Sequence, residues 1–148
     1  MIIYQEIKND FIISSDKSKL NVDVIHNYLS KESYWAKNIP LTTVQKSIEH
    51  SFCFGLYEKE KQIGFARLVT DHATFAYLAD VFILASFRGK GLSKWMMEFI
   101  IKNPELQNLR RWMLATKDAH GLYAQFGFVP CDKPERLMQL LNPDVYNN

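Results

Sequence analysis

The sequence predicts a mixed α/β fold of six or seven strands and about four helices. Three observations predict it. Ser51 to Leu84 holds three successive β-rich runs separated by polar turns, which reads as an antiparallel meander. Asp80 to Ile101 passes from an apolar run through a glycine loop into a stretch with helical spacing. Shorter helical patterns stand before the meander, near Leu20 to Leu29, and after it, near Ala119 to Phe126.

Taken in order, Phe11 to Ser14 reads as the first strand and Asp16 to Ser18 as a polar turn. Leu20, Val24, Ile25, Tyr28 and Leu29 follow helical spacing, with Asn21 or Asp23 as caps. Ser30 to Leu41 has no clean period and reads as a loop presenting Tyr34 and Trp35. Thr42 or Thr43 caps a short helix containing Val44 and Ile48. Ser51 to Tyr57 is a strand with Phe52, Phe54 and Leu56 on one face, and Glu58 to Lys61 is a charged hairpin turn. Gln62 to Thr70 is the returning strand, Asp71 to Ala73 turns again, and Phe75 to Leu84 is the central strand.

After the glycine loop, Leu92, Trp95, Met96, Phe99 and Ile100 share one helix face, and Lys102-Asn103-Pro104 ends that helix. Arg110 to Thr116 is the next strand. Asp118 caps a helix from Ala119 to Phe126, and Gly127 follows it. Arg136 to Leu141 is apolar enough for a closing strand. The chain has 148 residues, is 47% hydrophobic and shows no linker, so residues 1–148 are expected to form one domain.

Charge narrows the function classes. A net charge of +2 at pH 7 gives no electrostatic footprint for nucleic acid. Cys53 and Cys131 have neither metal-ligand spacing nor a disulfide framework, and the four histidines make no metal site. No metal is expected. The first twenty residues carry six charges and no apolar core of a signal peptide, and no apolar run approaches the roughly 20 residues of a membrane span. A cytoplasmic protein is expected, with no membrane or nucleic-acid partner.

Phe87-Arg88-Gly89-Lys90-Gly91 sits between a strand and a helix start. Unpaired amides and the helix dipole favour an anion there, glycines let it approach the backbone, and Arg88 and Lys90 add cationic donors. The alternative is an ordinary turn with solvated charges. The Walker spacing is absent, and Lys94 stands where a dinucleotide fingerprint needs its third glycine. Arg88-Gly89-Lys90-Gly91-Leu92-Ser93 does fit Arg/Gln-x-x-Gly-x-Gly/Ala apart from its last residue, where a small serine stands. It resembles the acetyl-coenzyme A signature of the GNAT acetyltransferase superfamily. Tyr77-Leu78-Ala79-Asp80-Val81-Phe82-Ile83 looks like the polyamine acetyltransferases of that family.

Ala119-His120-Gly121-Leu122-Tyr123-Ala124-Gln125-Phe126-Gly127-Phe128 resembles the family's Ala-x-x-x-Tyr-x-x-x-Gly-Phe segment. The resemblance implies a GNAT fold with a mixed, mostly antiparallel central sheet, and acetyl-coenzyme A as cosubstrate. It implies that Tyr123 protonates the departing thiolate, a step suited to a phenol. Packing alone would instead make Tyr123 a core residue. The family's central strand parts from its neighbour, so the coenzyme arm would pair along Phe82, Ile83 and Leu84, with a backbone N–H near Ile83 facing the acetyl oxygen. Ala85 replaces a frequent family proline, and Thr116 a frequent asparagine.

Asp80 is a carboxylate in an apolar strand and so needs a partner or a task. It either pairs with Arg67 on the adjacent strand or captures a cationic amine and takes its proton. Tyr34 and Trp35 lie in the loop that covers the acceptor site in the family, and either line that site or simply pack. The expected function is an acetyl-coenzyme A dependent N-acetyltransferase acting on the primary amine of a small molecule by direct attack in a ternary complex. A non-catalytic acyl-coenzyme A sensor is the alternative, and a homodimer is left open.

Overall fold

The computed structural model describes residues 2–147. Six strands form one sheet in chain order: β1 Gln5–Lys8, β2 Phe11–Ser14, β3 Phe52–Glu58, β4 Lys61–Thr70, β5 Phe75–Ile83 and β6 Arg111–Leu114. Every neighbouring pair is antiparallel except β5 and β6, which are parallel. Four helices accompany them: α1 Val22–Asn27, α2 Leu41–Glu49, α3 Leu92–Ile101 and α4 His120–Ala124. This is the expected mixed, mostly antiparallel architecture with six strands.

Alternation along β3, β4 and β5 divides the core between the two sheet faces. Phe54, Leu56, Ile63, Leu68 and Leu78 pack with Trp95, Met96 and Ile100 of α3. Cys53, Phe65 and Phe82 pack with Ile25, Val44 and Ile48 of α1 and α2. Asn21 caps α1, its side chain accepting from Val24 N–H at 3.2 Å. A π-helical turn, Tyr28–Glu32, continues α1 and turns the chain toward Tyr34 and Trp35.

Four expectations are corrected. β1 was not anticipated: Gln5–Lys8 is exposed throughout, so no buried face marks it in the sequence. α2 starts directly after Pro40, and neither Thr42 nor Thr43 caps it. The amide of Ala119 donates to Thr116 Oγ1 at 3.0 Å, so Thr116 rather than Asp118 supports the start of α4, which ends at Ala124. Arg136 to Leu141 is not a strand. Pro134 opens a short 3-10 turn through Arg136, and the residues beyond it have no strand partner. Apolar composition alone does not make a strand, because its amides need a ladder to join.

No helix among the described residues is long and apolar enough to cross a membrane.

Candidate functional site

The site begins where two strands part. β5 and β6 pair from Phe75 opposite Arg111 to Leu78 opposite Leu114, and no further. β5 continues to Ile83 without a neighbour on that side. A bulge sits at the parting. Arg67 lies opposite Ala79 and Phe65 opposite Phe82, so Ala66 alone faces both Asp80 and Val81. Asp80 takes a φ of +54° there, a left-handed conformation that aspartate tolerates better than most residues. The bulge bends β5 and aims the Asp80 side chain into the gap.

Backbone alternation fixes the far end of β5. Leu84 N–H donates to Ile63 carbonyl on β4 at 2.8 Å. The peptide groups of Ile83 therefore face the other way, toward the parted edge. There the Ile83 carbonyl accepts from Arg88 Nε at 3.0 Å, and Arg88 Nη2 donates to the Tyr28 hydroxyl at 2.9 Å. Tyr28 in turn stacks on Phe82 with ring centroids 4.1 Å apart. Arg88 is thus engaged with the protein, tying the glycine loop to the π-helical turn after α1 and to the edge of β5.

Gly89 and Gly91 have φ of +80° and +75°, the left-handed region that disfavours a side chain. A Cβ on either would meet no atom within 4 Å, so the space above both is open to a ligand. Gly91 precedes α3, whose first hydrogen bond runs from Trp95 N–H to Gly91 carbonyl, and no side chain caps the helix. The amides of Leu92, Ser93 and Lys94 have no partner within the helix, which makes an anion site. Lys90 and Lys61 add charge: each ammonium lies 5.4 Å from the Phe87 ring centroid. A phosphorylated coenzyme fits this open, amide-lined and cationic cradle.

Beside the parted strands lies a cleft of about 680 Å³. Tyr34, Trp35, Tyr77, Asp80, Tyr123 and Tyr146 are among its walls. It brings together all four residues singled out for catalysis or acceptor binding. Val81 continues it, whereas the glycine loop lies outside it, past the end of β5.

Tyr34 and Trp35 form the roof, one ring edge-on to the other at 5.1 Å. Trp35 Nε1 donates to Asp80 Oδ1 at 2.8 Å, and Lys117 N–H donates to the Tyr34 hydroxyl at 3.0 Å. The roof is therefore pinned to both sides of the gap. Asp80 Oδ2 also accepts from Arg67 Nε at 2.8 Å, the ion pair considered from the sequence, and Arg67 Nη1 reaches Ser51 Oγ at 3.1 Å.

Tyr123 is buried at the base of the cleft, its ring edge-on to Phe128. Burial pushes its phenol above the ordinary value of 10, and nearby Tyr34 adds to the shift. The hydroxyl therefore keeps its proton throughout the neutral range. His120 is exposed and does not line the cleft. Burial pushes the Cys53 thiol up to about 11, which leaves it inert as a nucleophile. No cluster of metal-ligating side chains occurs among the described residues.

Tyr28, Lys61 and Tyr146 belong to the site and were not singled out for it in the sequence. Tyr28 reads as one more apolar position of a helix, and its partner Arg88 is 60 residues away. Lys61 reads as part of a charged turn. Tyr146 lies in a segment without recognisable pattern.

Comparisons with known proteins bear on the family and the fold. The model of the Acetyltransferase (GNAT) family matches residues 22–128. A Gibberella zeae protein assigned as an acetyltransferase is 34% identical over 140 residues, covering 80% of this chain and 78% of the relative. A Xanthomonas campestris pv. campestris protein assigned to the GNAT family has a crystal structure that superposes with a TM-score of 0.91. It is 48% identical, with coverage of 93% of this chain and 97% of that one. A GNAT acetyltransferase of Elizabethkingia anophelis, solved with acetyl-CoA bound, shares the fold at 12% identity and a TM-score of 0.63. That match covers 84% of this chain and 80% of that one. The family match and these relatives make the chain an N-acetyltransferase. The chain belongs to the Acetyltransferase (GNAT) family.

Proposed function

We propose that this protein transfers an acetyl group from acetyl-coenzyme A to the primary amine of a small molecule, by direct attack in a ternary complex. The observation that carries the reading is the parted β5 edge, which leads from the cleft to two left-handed glycines with open space above them. When bound, the coenzyme supplies the activated acetyl group. The amides of Leu92 and Ser93 with Lys90 hold its phosphates, and Gly89 and Gly91 let them approach the backbone. Phe82, Ile83 and Leu84 form the strand edge along which its arm lies, and Arg88 secures that edge by holding the Ile83 carbonyl.

The Ile83 N–H supports the acetyl oxygen as charge develops on it. Tyr123 delivers a proton to the leaving sulfur. Burial keeps the phenol protonated at neutral pH, as a proton donor must be. Asp80 stands where the amine would enter. Its two oxygens already accept from Trp35 and Arg67, yet each keeps a lone pair through which water can pass on the amine proton.

Trp35 and Tyr77 give the cleft an aromatic wall, and Asp80 and Asp118 add carboxylates to it. A small amine of the polyamine type is the acceptor this wall suits. Residues 1–148 act as one domain in this reading, supported by the single sheet that runs from β1 to β6. A cytoplasmic setting accords with two cysteines that form no disulfide.

The test is titration calorimetry with acetyl-coenzyme A, followed by a thiol-release assay over a panel of amines. Coenzyme binding with turnover of at least one primary amine is expected. Absence of coenzyme binding would sink the reading. Binding with no turnover on any amine would favour the acyl-coenzyme A sensor.

A further inference from the structure

A second cavity, of about 290 Å³, lies between β1 and α3. It shares no lining residue with the cleft. Glu6 comes from β1, Trp95, Glu98 and Phe99 come from α3, and Lys102 and Asn103 follow that helix. Positions 95, 98, 99 and 102 recur at i, i+3, i+4 and i+7, so they share one face. Trp95 Nε1 donates to Glu6 Oε1, 89 positions away, and holds the strand against the helix.

Asn103 is the most deeply buried of the lining residues, only 3% exposed. Its Oδ1 accepts from Glu105 N–H at 2.9 Å, and its backbone carbonyl accepts from Gln107 Nε2 at 2.9 Å. Its Nδ2 has no partner among the described residues. A buried donor left unpaired is costly, and a folded protein seldom keeps one without a use. The charges around it are also free. Glu98 is half-buried and Lys102 exposed, and neither enters an ion pair among the described residues. Glu6 keeps one oxygen beyond the one that Trp95 reaches. The cavity therefore offers an amide donor and an ammonium to an anion, and two carboxylates to a cation. The Trp95 and Phe99 rings are left for an apolar body.

We propose that this cavity binds a free α-amino acid with an apolar side chain. Its carboxylate meets Asn103 Nδ2 and Lys102, its ammonium meets Glu98 and Glu6, and its side chain lies against Trp95 and Phe99. Both charged ends are needed. A simple amine would leave Asn103 unpaired, and a simple carboxylate would face Glu98 and Glu6 with nothing to offset them. A zwitterion satisfies all four polar groups at once. The size agrees: sites for drug-sized ligands run from about 300 to 1,000 Å³, so this cavity suits a small metabolite and is too small for a coenzyme. The inference goes beyond the acetyl-transfer reading and does not depend on it, because the two cavities have no residue in common.

Titration calorimetry of the full chain with L-leucine tests it. Saturable binding of one leucine per chain is expected. Isoamylamine, which is leucine without its carboxylate, and isocaproate, which is leucine without its ammonium, should each bind about tenfold more weakly or worse. Glu98→Gln, on a half-buried surface, should weaken leucine by about tenfold. Asn103→Asp should do the same, since it keeps the oxygen that accepts from Glu105 and loses only the donor. The tryptophans report the place: leucine should shift the indole N–H resonance of Trp95 and leave that of Trp35, in the cleft, where it was. Lack of saturable binding, a shift at Trp35 in place of Trp95, or variants that bind leucine as tightly as the parent would each overturn the site. Isoamylamine binding as tightly as leucine would overturn the amino acid as its ligand.

Discussion

The two ends of the reaction cleft are built from different materials. The coenzyme end, from Phe82 to Ser93, is mostly backbone: strand amides, two glycines at positive φ and the start of α3. The acceptor end is made of side chains from scattered segments: Tyr34 and Trp35, Asp80, Asp118, Tyr123 and Tyr146. A backbone site needs a short contiguous run and tolerates many side chains, but not the loss of a glycine. A side-chain site needs the whole fold to assemble it, and one missing atom can remove its chemistry. Substitutions at the two ends should therefore fail in different ways.

The largest effect is expected at the acceptor end. Tyr123→Phe keeps the ring and its packing against Phe128 and loses only the hydroxyl. Removal of a general acid costs roughly 10²- to 10⁴-fold, so kcat should fall in that range while coenzyme affinity stays nearly unchanged. The pH dependence has a definite sign. Burial raises the phenol above 10, so the acid form persists through neutral pH and is lost only as pH rises past that value. The parent should therefore show no loss of this acid between about pH 6 and 9. A stable variant that turns over at the parent rate would remove Tyr123 from the mechanism.

At the coenzyme end, Gly91→Glu should weaken binding by about 100-fold or more, measured by calorimetry with coenzyme A. A carboxylate would stand where phosphate oxygens are expected, and a non-glycine residue at φ +75° costs a further 1–2 kcal/mol or so. Lys90→Ala should cost only about threefold to tenfold, since backbone amides remain to hold the phosphates. Equal losses from both substitutions would show that side-chain charge, not backbone, makes this end.

Asp80→Asn probes the junction between the ends. One donor of the Arg67–Trp35 pair would face an amide NH₂ in place of an oxygen, which costs roughly 1–3 kcal/mol of stability in a site this enclosed. A lower Tm is expected, together with a raised KM for the amine and a changed pH–rate profile. Profiles that superimpose would leave Asp80 with the single task of anchoring the roof.

The same contrast explains what could be read from the sequence. Arg88 to Ser93 was legible because glycine spacing, flanking strand and helix face lie in one run of residues. The order of elements from β2 to α4 was legible because alternation and helical spacing survive without knowledge of partners. β1 escaped because an exposed strand has no buried face to reveal it, and Arg136 to Leu141 misled because apolar character does not specify what covers it. The acceptor end was half legible. Asp80 drew notice as a charge among apolar residues, but its link to Trp35 spans 45 positions. Arg88 was noticed for its charge, although in the fold its guanidinium turns inward to Ile83 and Tyr28, contacts that no local pattern encodes.

That inward turn supplies an effect as small as that of Lys90→Ala. Tyr28→Phe keeps the ring stacked on Phe82 and removes only the acceptor of Arg88 Nη2. The bond from Arg88 Nε to the Ile83 carbonyl remains, so the glycine loop keeps its tie to β5 and loses the one to Tyr28. A hydrogen bond to a charged donor contributes roughly 1.5–3 kcal/mol when fully buried, and less here because Arg88 is exposed. Coenzyme affinity should fall about threefold to tenfold, or about 1 kcal/mol, with kcat changed by no more than that. Arg88→Met, which removes both bonds, should exceed the Tyr28→Phe loss by a further several-fold. If Tyr28→Phe leaves affinity untouched while Arg88→Met abolishes binding, the guanidinium leaves Tyr28 to meet the ligand directly. The coenzyme end would then depend on a side chain after all, and the division between the two ends would not hold.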